Sequence, residues 1–253
     1  MKVISFGKTD QGKTRTNNED SFLVNDRLRL YAVADGIGGH EGGEVASRLA
    51  VDALSGMLHE QFAGNRSAVA FDNSPEVDQY LSSLRDAVAL ANTTVRQAAA
   101  QDPALTGMGT TLTAVLLQPR TSVFVHVGDS RAYLFRDGTL RQLTDDHSLV
   151  AEQMRAGLIT PKQARMSPYR HVITQSVGLH SEVHADFGMF DLEKNDILVL
   201  CTDGLTEMVK DDDIARILSS ETPAASAESL IRRANDNGGV DNITVVVVRI
   251  EDV

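Results

Sequence analysis

Four aspartates stand at the ends of apolar, β-branched runs. Asp35 follows Leu30-Tyr31-Ala32-Val33-Ala34, Asp129 follows Val123 to Gly128, Asp203 follows Ile197 to Thr202, and Asp241 precedes Ile243 to Val248. Three of them adjoin glycine, in Asp35-Gly36, Gly128-Asp129 and Asp203-Gly204. Taken singly, each reads as turn chemistry, because Asp and Gly both favour strand ends. Gathered at one rim they would repel one another and lose hydration unless cations lay among them. An oxygen-only ligand set selects hard ions, so Mg²⁺ or Mn²⁺ is expected over Zn²⁺. Two such ions, roughly 3.5 to 4 Å apart and bridged by one carboxylate, acidify a shared water and clamp a phosphoryl group. Metal-assisted phosphate hydrolysis is the chemistry this pattern points to.

That chemistry needs a phosphate clamp and a proton donor. Arg15 lies in a polar segment, and a guanidinium forks onto two phosphate oxygens; Lys8 and Lys13 are nearby alternatives that read equally as solvated charges. His40, five residues past Asp35 in a glycine-rich loop, has the pKa range to protonate a leaving alkoxide. Its bland alternative is loop packing. A cysteine-dependent phosphatase would carry an arginine six positions after its nucleophile, whereas Glu207 stands six after Cys201; that cysteine reads as a small hydrophobe. His180-Ser181-Glu182-Val183-His184 lacks the order of a zinc helix and reads as loop or surface.

Two nucleotide motifs fail on context. Gly7-Lys8-Thr9-Asp10-Gln11-Gly12-Lys13-Thr14 fits G-x-x-x-x-G-K-[ST], but that loop works by opening a helix whose amides hold phosphate. Arg15 to Asp20 is wholly polar and leads into the strand-like Ser21-Phe22-Leu23-Val24, so no helix starts at Lys13. Gly36-Ile37-Gly38-Gly39-His40-Glu41 has Glu41 where the dinucleotide fingerprint needs its third glycine.

The elements that must position these residues follow from periodicity. Strands are expected over 2–7, 21–25 and 28–35, then 110–117, 122–127, 132–136 and 140–143, with Asp137-Gly138 as a tight hairpin turn. Connections that short require antiparallel neighbours. Ala46, Ala50, Ala53, Leu54 and Met57 mark one helix, and Val77, Leu81, Leu84, Val88, Ala91, Val95 and Ala98 a second, with a loop over 63–75 between them. Helical pieces follow over 147–156 and from Thr160-Pro161, where Thr160 and Gln163 form a capping box. Strands return over 184–190, 197–202 and 243–250, with two helices near 212–219 and 225–235 between the last pair. Asp211-Asp212-Asp213 are expected to cap the first of these, while Glu41 and Glu44 serve the first turn of the 46–57 helix. Strands in runs and helices in pairs argue for antiparallel sheets covered by helices.

Length and charge bound the remaining choices. The 253 residues, 42% hydrophobic, carry 35 acidic and 24 basic side chains for a net charge of −11, which argues against broad nucleic-acid contact. One cysteine fits a reducing compartment. No apolar run approaches the roughly 18 residues of a membrane span, and the N-terminus has no signal-peptide pattern. A soluble cytoplasmic protein is expected, with neither nucleic acid nor membrane as partner.

Six segments, in order, resemble the motif series of the metal-dependent protein phosphatases of the PP2C type: Arg15-Thr16-Asn17-Asn18-Glu19-Asp20, Ala34-Asp35-Gly36-Ile37-Gly38-Gly39-His40, Gly109-Thr110-Thr111, Gly128-Asp129-Ser130-Arg131, Cys201-Thr202-Asp203-Gly204-Leu205 and Asp241-Asn242-Ile243-Thr244. The chain is similar to short bacterial members, close to a minimal catalytic domain, and no signature position departs from the pattern. The resemblance implies an α+β fold, a four-layer αββα sandwich of two antiparallel sheets flanked by helix pairs. It implies one catalytic domain over 1–253, with a small helical flap over 147–171. It makes Asp35 the bridging ligand of two Mg²⁺ or Mn²⁺ ions, with the Gly36 carbonyl on one and Asp203 and Asp241 on the other. Glu19 and Asp20 position metal-bound waters, Asp129 with Asp203 offers a third, weaker metal site, Arg15 grips the phosphate and His40 is the general acid. The implied activity is hydrolysis of phosphoserine and phosphothreonine on proteins by a metal-bridging hydroxide, by a monomer opposed to a Ser/Thr kinase. The alternatives are a phosphate-loop NTPase and a non-catalytic phosphopeptide-binding module.

Overall fold

Strands that are apolar at every position, instead of alternating, must be covered on both faces. In the computed structural model this is what the central strands show, over the described residues 1–38, 42–63, 75–119 and 121–253. In chain order the elements are β1 (Lys2–Asp10), β2 (Asp20–Asn25), β3 (Leu30–Ile37), α1 (Gly42–Ala63), α2 (Pro75–Gln101), β4 (Gly109–Thr110), β5 (Leu112–Leu116), β6 (Thr121–Val127), β7 (Arg131–Arg136), β8 (Thr139–Gln142), α3 (Leu149–Arg155), α4 (Pro161–Met166), β9 (Asp186–Asp191), β10 (Ile197–Cys201), α5 (Asp203–Thr206), α6 (Asp211–Ser220), α7 (Pro223–Asp236) and β11 (Ile243–Asp252). One sheet runs β1-β11-β10-β7-β8 and the other β2-β3-β5-β6-β9, with β4 on the end of β3. Every pairing is antiparallel.

Side-chain alternation sorts the strands into three cores. From β10, Ile197, Val199 and Cys201 face α5 to α7, while Leu198 and Leu200 enter the space between the sheets. From β3, Leu30, Ala32 and Ala34 pack on α1 and α2, while Tyr31 and Val33 join the central core. The result is helices, sheet, sheet, helices, the layer order the sequence reading expected, with three helices in place of a pair over the second sheet. No helix among the described residues is long and apolar enough to cross a membrane.

Several boundaries move for physical reasons. The expected 110–117 strand is broken at Thr111, and β4 pairs with the extension of β3 beyond Asp35. Between β10 and β11 lie three helices, the extra one being the four-residue α5. Lys210 occupies the N-cap of α6 and Asp211, Asp212 and Asp213 fill its first turn, so these aspartates meet the helix dipole and do not cap it. The capping box at Thr160 and Gln163 is present. After Gly12 no helix begins; the amides of Lys13 and Thr14 instead bond the Gly239 carbonyl at 2.7 and 3.2 Å, which removes the phosphate-loop reading. Glu41, His40 and most of the expected 63–75 loop lie outside the described residues.

Leu198 is fully buried between the sheets. Leu198→Ala is expected to cost about 2–5 kcal/mol, read as a lower urea midpoint at unchanged slope. Leu158→Ala, at a position 72% exposed, is expected to stay within about 0.5 kcal/mol of the parent.

Candidate active site

Antiparallel register alone brings the chemistry to one rim. Asp20, the first residue of β2, pairs directly with Asp35 near the end of β3. Leu112 at the start of β5 pairs with Val127 at the end of β6, which places the Gly128-Asp129 turn at the same end. In the second sheet Cys201 pairs with both Arg131 and Val245, so the end of β10, the start of β7 and the start of β11 coincide. Asp203 and Asp241 lie just beyond those ends.

The two rims are joined by one carboxylate. Asp20 Oδ2 accepts from Thr202 Oγ1 at 2.9 Å and from Thr244 Oγ1 at 2.6 Å, and the Thr244 amide donates to Thr202 Oγ1 at 3.0 Å. Thr202 is the N-cap of α5 but makes no cap bond, because its hydroxyl serves this network. On the other side the Asp35 amide donates to Thr111 Oγ1 at 2.8 Å, and Thr111 Oγ1 lies 2.8 Å from Ser130 Oγ. The break in the 110–117 strand therefore points Thr111 toward Asp35 and the Asp129 turn.

Asn242 shapes the segment that carries Arg15 and Glu19. Its Nδ2 donates to the carbonyls of Gln11 and Asn17, both at 2.9 Å, while its Oδ1 accepts from the Glu19 amide at 2.8 Å. Asn17 Nδ2 donates to Glu19 Oε1 at 2.9 Å, and Arg15 Nη2 meets Asp241 Oδ2 at 2.6 Å. Gly204 is required beside Asp203, since a Cβ there would collide with the Asn242 carbonyl oxygen. The 147–171 segment is closed at its stem: Ser148 and Ile173 form an isolated antiparallel bridge, the Thr174 amide bonds the His147 carbonyl, and Arg131 forks onto Asp146 at 2.8 and 2.7 Å.

The electrostatics are those of a crowded anionic pocket. Burial pushes Asp20 up to about 7 against the pull of the Thr244 and Thr202 hydrogen bonds, with the charges of Asp203 and Asp241 adding to the rise. Burial, then the charges of Asp20, Asp203, Asp129 and Asp241, holds Asp35 well above the usual range. Asp129 is raised by burial, Asp203 and Asp146, and Asp203 is pushed up to about 6 by burial, Asp241 and Glu207. Asp20 Oδ1, Asp129 Oδ1 and Asp203 Oδ1 are buried with no hydrogen-bond partner. An acceptor oxygen buried without a donor is the environment a cation completes, and an all-carboxylate and carbonyl donor set suits Mg²⁺ or Mn²⁺.

Asp20, Asp35, Asp129, Asp203 and Asp241 are thus brought together, with Glu19 and Arg15 at the edge and Gly36 beside Asp35. His40 lies outside the described residues. Among the described residues Lys8 pairs with Glu228, at 3.8 Å on the surface, and the Lys13 amide is bonded to the Gly239 carbonyl; neither ammonium forms an ion pair with the carboxylates of the cluster. Sequence reasoning gave Thr111, Ser130, Thr202, Thr244 and Asn242 no individual role. Their only signal was position inside the aspartate motifs.

A family model described as protein phosphatase 2C matches residues 9–237. The chain is 39% identical over 248 residues to the protein phosphatase PhpP of Streptococcus pneumoniae, with 96% of each chain covered. It is similar to the serine/threonine phosphatase PstP/Ppp of Mycobacterium tuberculosis at a TM-score of 0.87 and 39% identity, covering 98% of this chain and 99% of that one. A structure of the PstP catalytic domain in complex with two manganese ions superposes at a TM-score of 0.84 and 37% identity, covering 99% of both.

The raised carboxylates carry a sign for stability. Each binds its proton more tightly folded than unfolded, so the metal-free protein is favoured below the ordinary 3.8 and loses that advantage as pH rises through about 6 to 7. Chelator-treated protein is therefore expected to melt several degrees lower at pH 7.5 than at pH 5, about 1 kcal/mol being worth roughly 2–4 °C at this size. Added Mn²⁺ is expected to restore more at pH 7.5. Asp203→Asn should flatten the metal-free slope and shrink the Mn²⁺ gain; an unchanged slope would contradict the assignment.

Proposed function

From the premise that the chain belongs to the protein phosphatase 2C family, we propose that it removes phosphate from phosphoserine and phosphothreonine on proteins with two Mg²⁺ or Mn²⁺ ions held at the rim of the two sheets. The observation that carries this reading is the convergence of buried carboxylates whose outer oxygens have no donor.

Asp35, the Gly36 carbonyl, Asp203 and Asp241 are the residues to hold the pair, and Asp129 with Asp203 a third, weaker ion. When bound, the ions acidify a water and neutralise the charge that builds on the phosphoryl oxygens. Asp20, with one oxygen fixed by two threonines, presents the other to solvent ligands of the site, and Glu19 is oriented for the same task by Asn17. Arg15 spends one donor on Asp241 and is half-exposed, which leaves its fork to meet an incoming phosphate. Burial works against its charge, but the Asp241 hydrogen bond and the charges of Asp241, Glu19 and Asp35 hold it protonated. Leaving-group protonation falls to His40, on the strength of the motif it belongs to. Cys201 is fully buried and its thiol is pushed up to about 12 by burial, so it offers no thiolate and no covalent route.

The whole chain, 1–253, acts in this reading as one catalytic domain, with 147–171 as a flap that helps choose substrates. Phosphoprotein substrates, a cognate Ser/Thr kinase, a monomeric state and a cytoplasmic location complete it.

Hydrolysis of a phosphothreonine peptide is expected with Mn²⁺ and not with excess chelator; equal rates in both would sink the metal requirement. Asp203→Asn is expected to lose at least about 100-fold in kcat while folding normally, beyond the 10–100-fold typical of residues one shell further out. Arg15→Ala should lower kcat/KM by roughly 10²-fold, the scale of removing one preorganised donor. Malachite-green phosphate release measures both.

A further inference from the structure

Two buried imidazoles stand behind the turn that carries Asp129, and the phosphate chemistry above uses neither. His126, in β6, and His147, which opens the 147–171 segment, have ring centroids 4.7 Å apart. Their exposures are 0% and 7%, so every ring nitrogen needs a partner inside the protein, and all four have one.

The partners fix where the protons sit. The Gly128 amide donates to His147 Nδ1 at 3.2 Å, so that nitrogen must present a lone pair. The ring proton is then on Nε2, 3.1 Å from Asp186 Oδ2, which accepts it. The backbone of the same residue also answers Gly128, since the His147 amide donates to the Gly128 carbonyl at 2.7 Å. Residue 147 thus grips both polar groups of the glycine that precedes Asp129. Gly128 has a φ of 108°, and a Cβ there would collide with Thr111, so no side chain at 128 can anchor the turn. His126 serves the far end. Its Nε2 lies 3.1 Å from the Asp145 carbonyl and must donate there, which leaves Nδ1 to accept from Thr113 Oγ1 at 2.9 Å, and that hydroxyl lies 3.2 Å from the Ser130 carbonyl. Burial pushes His126 down to about 4, which keeps it in this neutral form. The sheet supplies the placing, because Asp186, the first residue of β9, is the cross-strand partner of His126.

We infer that His147, with its tautomer fixed by Asp186, is a positioning residue that holds the Gly128-Asp129 turn and so aims the Asp129 carboxylate at the rim. That carboxylate accepts from its own backbone, so it points where the turn points. The imidazole acts one step behind the ligand, as a carboxylate-oriented histidine does when its second nitrogen is spent on the chain and not on an ion. The hydrogen bonding stands on its own geometry; its consequence for turnover rests on the phosphatase reading above.

Two amide substitutions separate positioning from packing. His147→Asn keeps an acceptor oxygen in the place of Nδ1, whereas His147→Gln reaches Asp186 in the place of Nε2 and leaves the Gly128 amide without its acceptor. Gln fills more of the ring's volume, so a packing role would favour it over Asn. In the full chain, Mg²⁺ titration followed on the residue-129 amide resonance is expected to give His147→Asn the parent's midpoint and to raise that of His147→Gln about tenfold, the scale of losing a ligand's outer support. In an Asp129→Asn background the effect of His147→Gln should shrink to less than about twofold, because a residue acting through Asp129 has nothing left to aim. Long-range ¹H–¹⁵N spectra of the parent are expected to show His147 Nδ1 without a proton. A protonated Nδ1, equal midpoints for the Asn and Gln variants, or an undiminished effect in the Asp129→Asn background would overturn the proposal. In Mn²⁺-supported phosphopeptide hydrolysis, His147→Gln is expected to lose about tenfold in kcat with KM little changed. If the parent shows no hydrolysis, the phosphatase reading fails while the ring spectra and Mg²⁺ midpoints still decide the role of His147.

Discussion

Like charge held out of water is the constraint on which this molecule is organised. Asp20, Asp35, Asp129 and Asp203 are all driven above the ordinary carboxylate range by burial, with the charges of neighbouring carboxylates among the causes. A fold that stabilised only itself would not keep them together, because replacing such groups by apolar or amide side chains removes the penalty at little cost in volume. Their retention makes sense as ligands for a cation that offsets the repulsion, and binding of that cation is then itself a contribution to stability. Stability and function are coupled at this rim in a way they are not in the three apolar cores.

What holds the carboxylates in place is a layer of neutral donors. Thr202 and Thr244 fasten Asp20, Thr111 fastens the Asp35 backbone and reaches Ser130, and Asn242 draws the 11–19 segment against the start of β11. Hydroxyls and amides suit this task because they anchor one oxygen or one backbone group and leave the other carboxylate oxygens for a cation. A lysine or arginine in the same places would neutralise the site permanently. Arg131, at the start of β7, is spent on Asp146, whereas Arg15 is half-exposed and at the edge, where its remaining donors stay available.

The architecture was largely legible in the residues because the pattern is redundant. Ile197-Leu198-Val199-Leu200-Cys201 has no polar position, so it required cover on both faces, and that cover is supplied by the second sheet on one side and α5 to α7 on the other. The four strand-end aspartates were legible for the same reason: each interrupts a run that is otherwise apolar. The failures are equally local. Nothing in Gly109 to Leu117 marks Thr111 as the break, since threonine is a good strand residue and its hydroxyl is diverted only by the partners tertiary packing brings to it. The cap of α6 went to Lys210 because three consecutive aspartates compete for one position, and the dipole rewards all three inside the first turn. Asp203 and Glu207, at the first residue and C-cap of the one-turn α5, and His171, from a segment more than thirty residues earlier, come together with no periodicity that sequence alone could detect.

The fate of the 7–14 segment shows how context decides between identical letters. Gly7 to Thr14 matches a phosphate-binding loop, yet Gly12 takes a positive φ of 77° to turn the chain, and the Lys13 and Thr14 amides that would cradle a phosphate are already bonded to Gly239. The anion-binding capacity of backbone amides exists only while those amides are free, and here the turn after α7 has consumed it. In the function proposed above, phosphate recognition passes instead to the next basic residue, Arg15, whose fixed charge depends on no helix, and to the cations that the carboxylates would gather. The same segment that fails as a nucleotide loop thus becomes the strap on which Arg15 and Glu19 are hung, and Asn242 is what holds that strap against the second sheet.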